Sequence, residues 1–352
     1  MRRRLILLYF IVFHTFAAES TRSEVNRFHV LNDRKHTDKT LLQNKGQYLW
    51  LDAEISSKLI KLFGEVSNTD SASNEASQTL EVTKLLTGEL NTEKYINLHL
   101  DLQIPFIPFR YKDFQFLPGV MYETHLGTSI SIDNKDDPLV PKAKLYAFMQ
   151  TRYGIQTLLR HRSIKDGVFK IRIYKNSIKD LSIEKNSTQI ASDDSIIDID
   201  ELELAEITYK TDISFQKDKK KYRYIIEARD LKLKTTADSE KESLYGNTPL
   251  FHFAYQRKFM LGNYLKANST FGIAHRNRYD ISDALYVGLG LDFENKYPMH
   301  IQTKLDSQFL GIWLGTRFKY FHFHYGLKMA YVNPQDDLWV PTIHRINIGI
   351  PF

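Results

Sequence analysis

The chain has 352 residues, no cysteine and a formal charge of +6, three units of which come from Arg2, Arg3 and Arg4. Without cysteine it cannot be a disulfide-stapled secreted domain, hold a thiolate metal site or be an acylated lipoprotein. The basic residues are dispersed, which excludes a nucleic-acid signature, and aromatics are abundant, with 22 Phe and 20 Tyr.

Arg2, Arg3 and Arg4 precede an apolar run from Leu5 to Phe16, and the small residues Ala17 and Ala18 follow. This predicts a secretory signal peptide over 1–18, to be excluded from the fold. The run is too short for a spanning helix, and no later segment offers about 18 consecutive apolar residues. Residues 19 to 45 are polar, show no period and are expected to be mobile. Gln47 to Asp52 reads as a candidate strand. Asp52 to Val66 reads as an amphipathic helix, because Ile55, Leu59, Leu62, Phe63 and Val66 recur at helical spacing. Asn68 to Ser77 is a linker by composition. Gln78 to Leu90 is a second helix, with Leu80, Leu85 and Leu86 apolar and Gly88 near its end.

From Tyr95 the period changes to two. Ile96, Leu98, Leu100, Leu102 and Ile104 alternate with Asn97, His99, Asp101 and Gln103, and Pro105 and Pro108 break the run. Phe114 to Ile132 and Lys144 to His161 are long candidates, beyond the roughly 9 to 11 residues that a spanning strand needs. Further strands are expected near 168–174, 203–215, 221–233, 249–260, 264–274, 284–294, 297–306, 309–318, 319–331 and 342–352. The last ones are the clearest. Leu285, Val287, Leu289, Leu291 and Phe293 alternate with Tyr286, Gly288, Gly290 and Asp292. Ile346, Ile348, Ile350 and Phe352 alternate with Arg345, Asn347 and Gly349. Each strand therefore has one apolar and one polar face, as the wall of a membrane barrel does.

The connections alternate between long and short. Those at 133–143, 175–202, 234–248, 275–283 and 332–340 are long, and those between them are short. That alternation fits a barrel with long outer loops and short inner turns. Strand parity then requires one more strand before residue 94, and Gln47 to Asp52 is the candidate. The expected fold is all-β: a transmembrane, antiparallel, up-and-down β-barrel of about 12–14 strands with a small N-terminal helical plug. The expected division is a signal peptide at 1–18, an N-terminal segment with short helices at 19–93, and the barrel at 94–352. Within the second, the stretch 45–93 is expected to occlude the lumen.

This layout of short helices, about 14 strands and a terminal Phe resembles the bacterial outer-membrane channels of the long-chain fatty-acid transporter family and their conjugation-associated relatives. The resemblance covers about 45–352 and lies in the architecture. The Asn-Pro-Ala stretch of that family is absent, so no binding residue carries over. The resemblance implies a porin-like transport role for small hydrophobic molecules in the cell outer membrane of a Gram-negative bacterium. Ile348, Ile350 and Phe352 resemble the terminal signal read by the barrel-assembly machinery.

On the polar strand faces, the candidate lumen-lining residues are Arg152, Arg172, Lys210, Arg223, Arg229, His252, Lys266, Asp292, His322 and His324. Inward acids, among them Asp101, Glu123, Asp212, Glu227 and Asp306, would pair with them to rigidify a plugged barrel or to line an aqueous path. His322 and His324 share a face, a metal-compatible spacing, but two ligands are not a site, and no metal is expected. His125 with Ser129, and His99 with Asp101, also share faces. Neither pair resembles the outer-membrane phospholipase signature, so no enzyme activity and no cofactor are expected. Expected partners are outer-membrane lipid and lipopolysaccharide, the barrel-assembly machinery and a hydrophobic small-molecule ligand, with no nucleic acid. Two alternatives stay open: a structural or assembly component of an envelope machine, and a secreted soluble all-β protein.

Overall fold

The period-two text closes into a ring. The computed structural model describes residues 23–42, 47–57, 59, 62, 75–134, 140–192, 202–235, 248–277, 280–294, 298–332 and 339–351. In chain order the strands are β1 (Gln47–Ser56), β2 (Thr92–Pro105), β3 (Phe109–Tyr111), β4 (Phe114–Asp133), β5 (Lys142–His161), β6 (Gly167–Asn186), β7 (Glu203–Asp218), β8 (Tyr222–Thr235), β9 (Leu250–Met260), β10 (Leu265–Arg276), β11 (Leu285–Phe293), β12 (Met299–Asp306), β13 (Phe309–Arg317), β14 (His322–Ala330) and β15 (Ile343–Pro351). The helices are α1 (Ser23–Leu42), α2 (Glu75–Gly88), α3 (Ser187–Ser192) and α4 (Ile281–Ala284).

Neighbouring wall strands pair antiparallel in chain order from β4 to β15, and two further pairings close the circle. β1 pairs with β15, setting Trp50 opposite Gly349 and Glu54 opposite Arg345. β2 pairs with β1 on one side and with β4 on the other. The short β3 extends β4 past the end of β2, so the closed wall has 14 strands. The expected strand at the head of the chain is β1, and it completes the even count.

Alternation fixes which residues face in. Trp50, Asp52 and Glu54 of β1 are buried, as are Arg345 and Asn347 of β15, whereas Leu51, Ile346 and Ile348 are exposed on the other face. The same split runs around the ring. Phe253, Leu289 and Leu314 stand outward, and His252, Tyr286 and Trp313 are buried inward. Trp313 lies flat against the wall. A Cβ on Gly326 would sit 2.1 Å from its ring and one on Gly311 2.3 Å from it, so glycine at both positions makes room for the indole.

The wall is uneven. β4, β5 and β6 have 20 residues each, whereas β13, β14 and β15 have 9 each. At about 3.3 Å per residue that is roughly 66 Å of strand against about 30 Å. The expected strand at 168–174 is thus far longer, and the expected loop from 175 begins only after Asn186. The extra length of β6 is mixed on both faces: Asn176, Ile178 and Asp180 are buried inward, and Lys175, Lys179 and Leu181 stand opposite. The connection at 307–308 is also short, although it lies at the end of the barrel that carries the long loops.

Two N-terminal expectations change. The helix expected from Asp52 does not start there, because β1 continues to Ser56. The helix expected over 78–90 is α2, and it lies outside the lumen together with Leu59 and Leu62. Val82 and Leu86 pack with Leu59, Leu62, Ile130, Ile132, Leu145 and Ala147. Ile130 and Ile132 of β4 lie on the face opposite His125 and Ser131. Leu145 and Ala147 of β5 lie opposite Gln150 and Arg152. The described part of 57–88 therefore covers the outward face of the tall strands, and α3 joins it there through Ile190. Residues 19–45, expected to be mobile, contain α1 instead. The expected signal peptide and Phe352 lie outside the described residues.

Leu86→Asp should uncover this external patch. Limited proteolysis should then cut within α2 faster, while the wall keeps its heat-modifiable migration on gels. Leu86 is 3% exposed, so even truncation to alanine should cost about 2–5 kcal/mol of local stability.

Candidate functional site

α1 lies inside the ring. Leu31, about midway along it, packs with Tyr95, Val340 and Ile343 toward the loop end, and Leu42 packs with Trp50 and Trp313 nearer the turn end. The helix thus runs antiparallel to β1, which follows it. Its described side chains reach inward-facing residues of strands on every side, and almost all of these contacts are polar.

On the low side of the wall they converge on Asp38. Lys304 Nζ donates to Asp38 Oδ1 at 2.7 Å, and Arg345 Nη1 donates to Oδ2 at 2.6 Å. Lys328 Nζ is 3.3 Å from Oδ2. Arg345 also grips Asp52 of β1 with two nitrogens, Nε at 2.9 Å and Nη2 at 2.7 Å. Glu54 adds a carboxylate 3.4 Å from the same guanidinium. Burial alone would raise the Asp38 carboxyl, but Lys304, Lys328 and Arg345 outweigh it and hold it below the ordinary carboxylate range. Lys304 Nζ further donates to Thr37 Oγ1 at 2.6 Å.

On the tall side the contacts form a second network around Asp33 and Asp230. Arg276 of β10 forks onto Asp33 at 2.7 and 2.9 Å and donates to Asp230 at 2.8 Å. Asp230 also accepts from Arg152 and from the Tyr174 hydroxyl, both at 2.9 Å. A bulge in β8 makes this reach possible. The β7–β8 register shifts between Thr211 and Ile213, and Asp230 takes a left-handed φ of 57°. Consecutive residues then both point inward: Asp230 as above, and Arg229 to Asp212 at 3.5 Å. An aspartate tolerates that φ better than most residues, and here its own amide donates to Asp212 Oδ1 at 2.8 Å. Lys39 of α1 binds Asp101 of β2, which lies 3.8 Å from Arg172.

Between α1 and the tall wall remains a cavity of about 150 Å³. Cations and carboxylates alternate around it, including Lys39, Arg152, Arg172, Glu123, Glu227 and Arg223. Of the residues singled out from sequence, Arg152, Arg172, Lys210, Arg223 and Arg229 line this cavity, and His252 binds its Glu227 at 2.7 Å. Lys266, Asp292, His322 and His324 also face inward but lie apart, toward the turn end. Lys266 meets Glu294, Asp292 meets Arg317 at 3.4 Å, and His324 stacks edge-on against His300. Ile348 stands outward on β15.

Sequence reading missed Asp33 and Asp38, because they sit on a stretch with no apolar period, and missed Asp230, because a strand drawn without its bulge turns that residue outward. Arg345 was legible as an inward residue of the last strand, but nothing marked its partners.

No protein-family model matches the chain, and no curated protein matches it in sequence. The fold is similar to several solved barrels. A triple-mutant Rh. blastica porin shares 7% identity at a TM-score of 0.33, over 87% of this chain and 99% of that one. The transport unit of the autotransporter AIDA-I from Escherichia coli shares 9% identity at a TM-score of 0.39, over 93% and 98%. CdiB from Acinetobacter baumannii shares 9% identity at a TM-score of 0.30, over 88% of this chain and 60% of that one. The closed 14-strand antiparallel ring is the architecture of outer-membrane β-barrels.

Arg345→Ala should take one of three cations from Asp38 and the two-nitrogen grip from Asp52, leaving Asp52 with only Lys35 at 3.7 Å as a counter-charge among the described residues. The expected loss is about 3–5 kcal/mol, read as a lowered unfolding midpoint in detergent. Arg345→Lys should recover only part of it, because an ammonium cannot grip both carboxylates in the fork geometry.

Proposed function

We propose that this chain is an outer-membrane channel whose lumen is held shut by α1 and opens when that helix is displaced. One observation carries the reading: a closed wall with apolar side chains outward on strand after strand encloses a polar helix tied to the wall by ion pairs. Outward residues such as Leu51, Ile155, Phe253, Leu289, Leu314 and Ile346 are 39–64% exposed. In water such a belt would be a large apolar patch on every side, at about 25 cal/mol per Å², whereas lipid removes the cost. Among the described residues no helix is long and apolar enough to cross a membrane, but a barrel crosses with its strands. Outer-membrane lipid and lipopolysaccharide would then surround the wall, and the barrel-assembly machinery would insert it.

The architectural resemblance implies a hydrophobic cargo. The lining of the cavity supports small hydrophilic solutes instead. An apolar molecule there would strip water from Arg152, Arg172 and Glu123 without replacing their hydrogen bonds. A charged or hydroxylated solute can exchange partners with them, as the lumen of a porin-type channel does.

Removing residues 23–42 with the signal peptide kept should give a large, steady rise in planar-bilayer conductance. Asp38→Asn, which retains the helix but weakens its hold, should give brief openings. Unchanged conductance from a deletion variant that still shows heat-modifiable migration would overturn the reading.

The long-loop end should face the exterior. Cysteine at Thr188, exposed on α3, should react with an impermeant thiol reagent on intact cells, and cysteine at Lys219, in the β7–β8 turn, only after the outer membrane is opened. Labelling in the opposite order would invert the orientation.

A further inference from the structure

Three side chains far apart in sequence meet where α1 touches the tall side of the wall. His36 of α1 places Nε2 2.7 Å from Glu227 Oε2. His252 of β9 places Nδ1 2.7 Å from the same oxygen. All three potential ligand atoms lie within 4.8 Å of one another. We propose that His36, Glu227 and His252 bind one divalent transition-metal cation, Zn²⁺ by the chemistry of the donors, and that this ion latches α1 to the wall. The latch half rests on the reading of α1 as a plug; the metal site does not.

The donor set decides the class of ion. Two imidazole nitrogens and one carboxylate oxygen are the ligands of a borderline-soft cation, whereas Ca²⁺ and Mg²⁺ call for oxygen cages. With Zn–N distances of about 2.0–2.1 Å the ligand atoms of a tetrahedral site lie roughly 3.3 Å apart, so the two 2.7 Å contacts to Glu227 would open slightly and the two nitrogens, now within 4.8 Å, would settle at that spacing by small side-chain rotations. The fourth position would be left to water, because His36 and Glu227 both border the cavity.

The surroundings support a built site. His252 Nε2 meets the Tyr286 hydroxyl at 2.8 Å, which fixes the ring with Nδ1 toward Glu227. Such a contact from the remote ring nitrogen is the usual way a protein orients a metal-binding histidine. The His252 side chain is fully buried, and those of His36 and Glu227 are 17% and 16% exposed. Without a metal, Glu227 is a single carboxylate oxygen shared by two imidazoles; a cation would take the place of the ring protons on that oxygen. Arg223 and Arg229 line the same cavity and lower the affinity for any cation, so the site should release its metal readily compared with a closed structural zinc site. The ligands come from α1, β8 and β9, so occupancy would join the lumenal helix to two wall strands at a point where α1 is otherwise held by hydrogen bonds.

The test uses the full-length barrel in detergent and ZnCl₂ as the probe, with isothermal titration calorimetry as the readout. The expected result is one saturable Zn²⁺ per barrel. His36→Ala and Glu227→Gln should each weaken it by more than about 100-fold, and Tyr286→Phe by about tenfold, with heat-modifiable migration retained. No saturable binding, or binding that both ligand variants leave unchanged, would overturn the site. Zn²⁺ should also lower the open probability of the wild-type channel but not of His36→Ala. Binding that is lost in His36→Ala without any effect of Zn²⁺ on conductance would overturn the latch and leave the site standing. Binding at the site in a barrel whose conductance is also indifferent to removal of α1 would place the failure in the plug reading instead.

Discussion

A charge taken out of water must be paired, and the interior of this barrel is organised by that requirement. Asp38 meets Lys304, Lys328 and Arg345, while Arg345 meets Asp52 and Glu54. Replacing such a cluster with packed apolar residues is often neutral or stabilising, so the ion pairs are weak evidence that stability alone selected them. What they supply here is position: a helix surrounded by discrete charged partners has one seating, whereas a greasy helix in a greasy tube could slide and rotate. The same pairs leave the helix compatible with water, as the proposed displacement of α1 from the lumen requires.

The two sides of the interior differ in character. On the low side the wall is short, the partners of α1 are packed tightly and Trp50 and Trp313 fill the space below Leu42. On the tall side the Asp33–Arg276–Asp230 chain holds the helix at a distance, and the cavity lies in the gap. The bulge at Asp230 is central to that gap. It spends a strained backbone position on turning two adjacent side chains inward, and one of them links Arg152, Arg276 and Tyr174 at once.

The wall was readable from sequence because outward-facing apolar and inward-facing polar residues alternate with a fixed period, and most strand limits fall within a few residues of the observed ones. α1 was not readable, for a physical reason. A helix that meets polar partners on every side has no apolar stripe, so Asp33, Arg34, His36, Asp38 and Lys39 look like an unstructured tail. The stretch after Asp52 misled in another way. Ile55, Leu59 and Leu62 do recur at helical spacing and do share one apolar cluster, but Ile55 reaches it from the outward face of a strand. The period identified what is buried together without identifying the element that carries it. The lumen candidates were legible as inward-facing, yet which of them gather at the cavity depended on strand stagger and on the bulge, and neither is written in local composition.

The ion-pair cluster lies across the junction between the first and last strands. Asp52 comes from β1 and Arg345 from β15, and Asp38 precedes the former by only 14 positions in the chain. The circle therefore cannot reach its final electrostatic state by zipping backbone to backbone alone. When β15 arrives beside β1, its arginine finds one carboxylate on the neighbouring strand and another on the helix tethered just ahead of it. Ring closure and helix seating become a single cooperative step, with the first and last wall strands acting as each other's template. A barrel assembled without the helix would close around an arginine and two lysines deprived of their shared aspartate, so the seam would be the first place along the circumference to part.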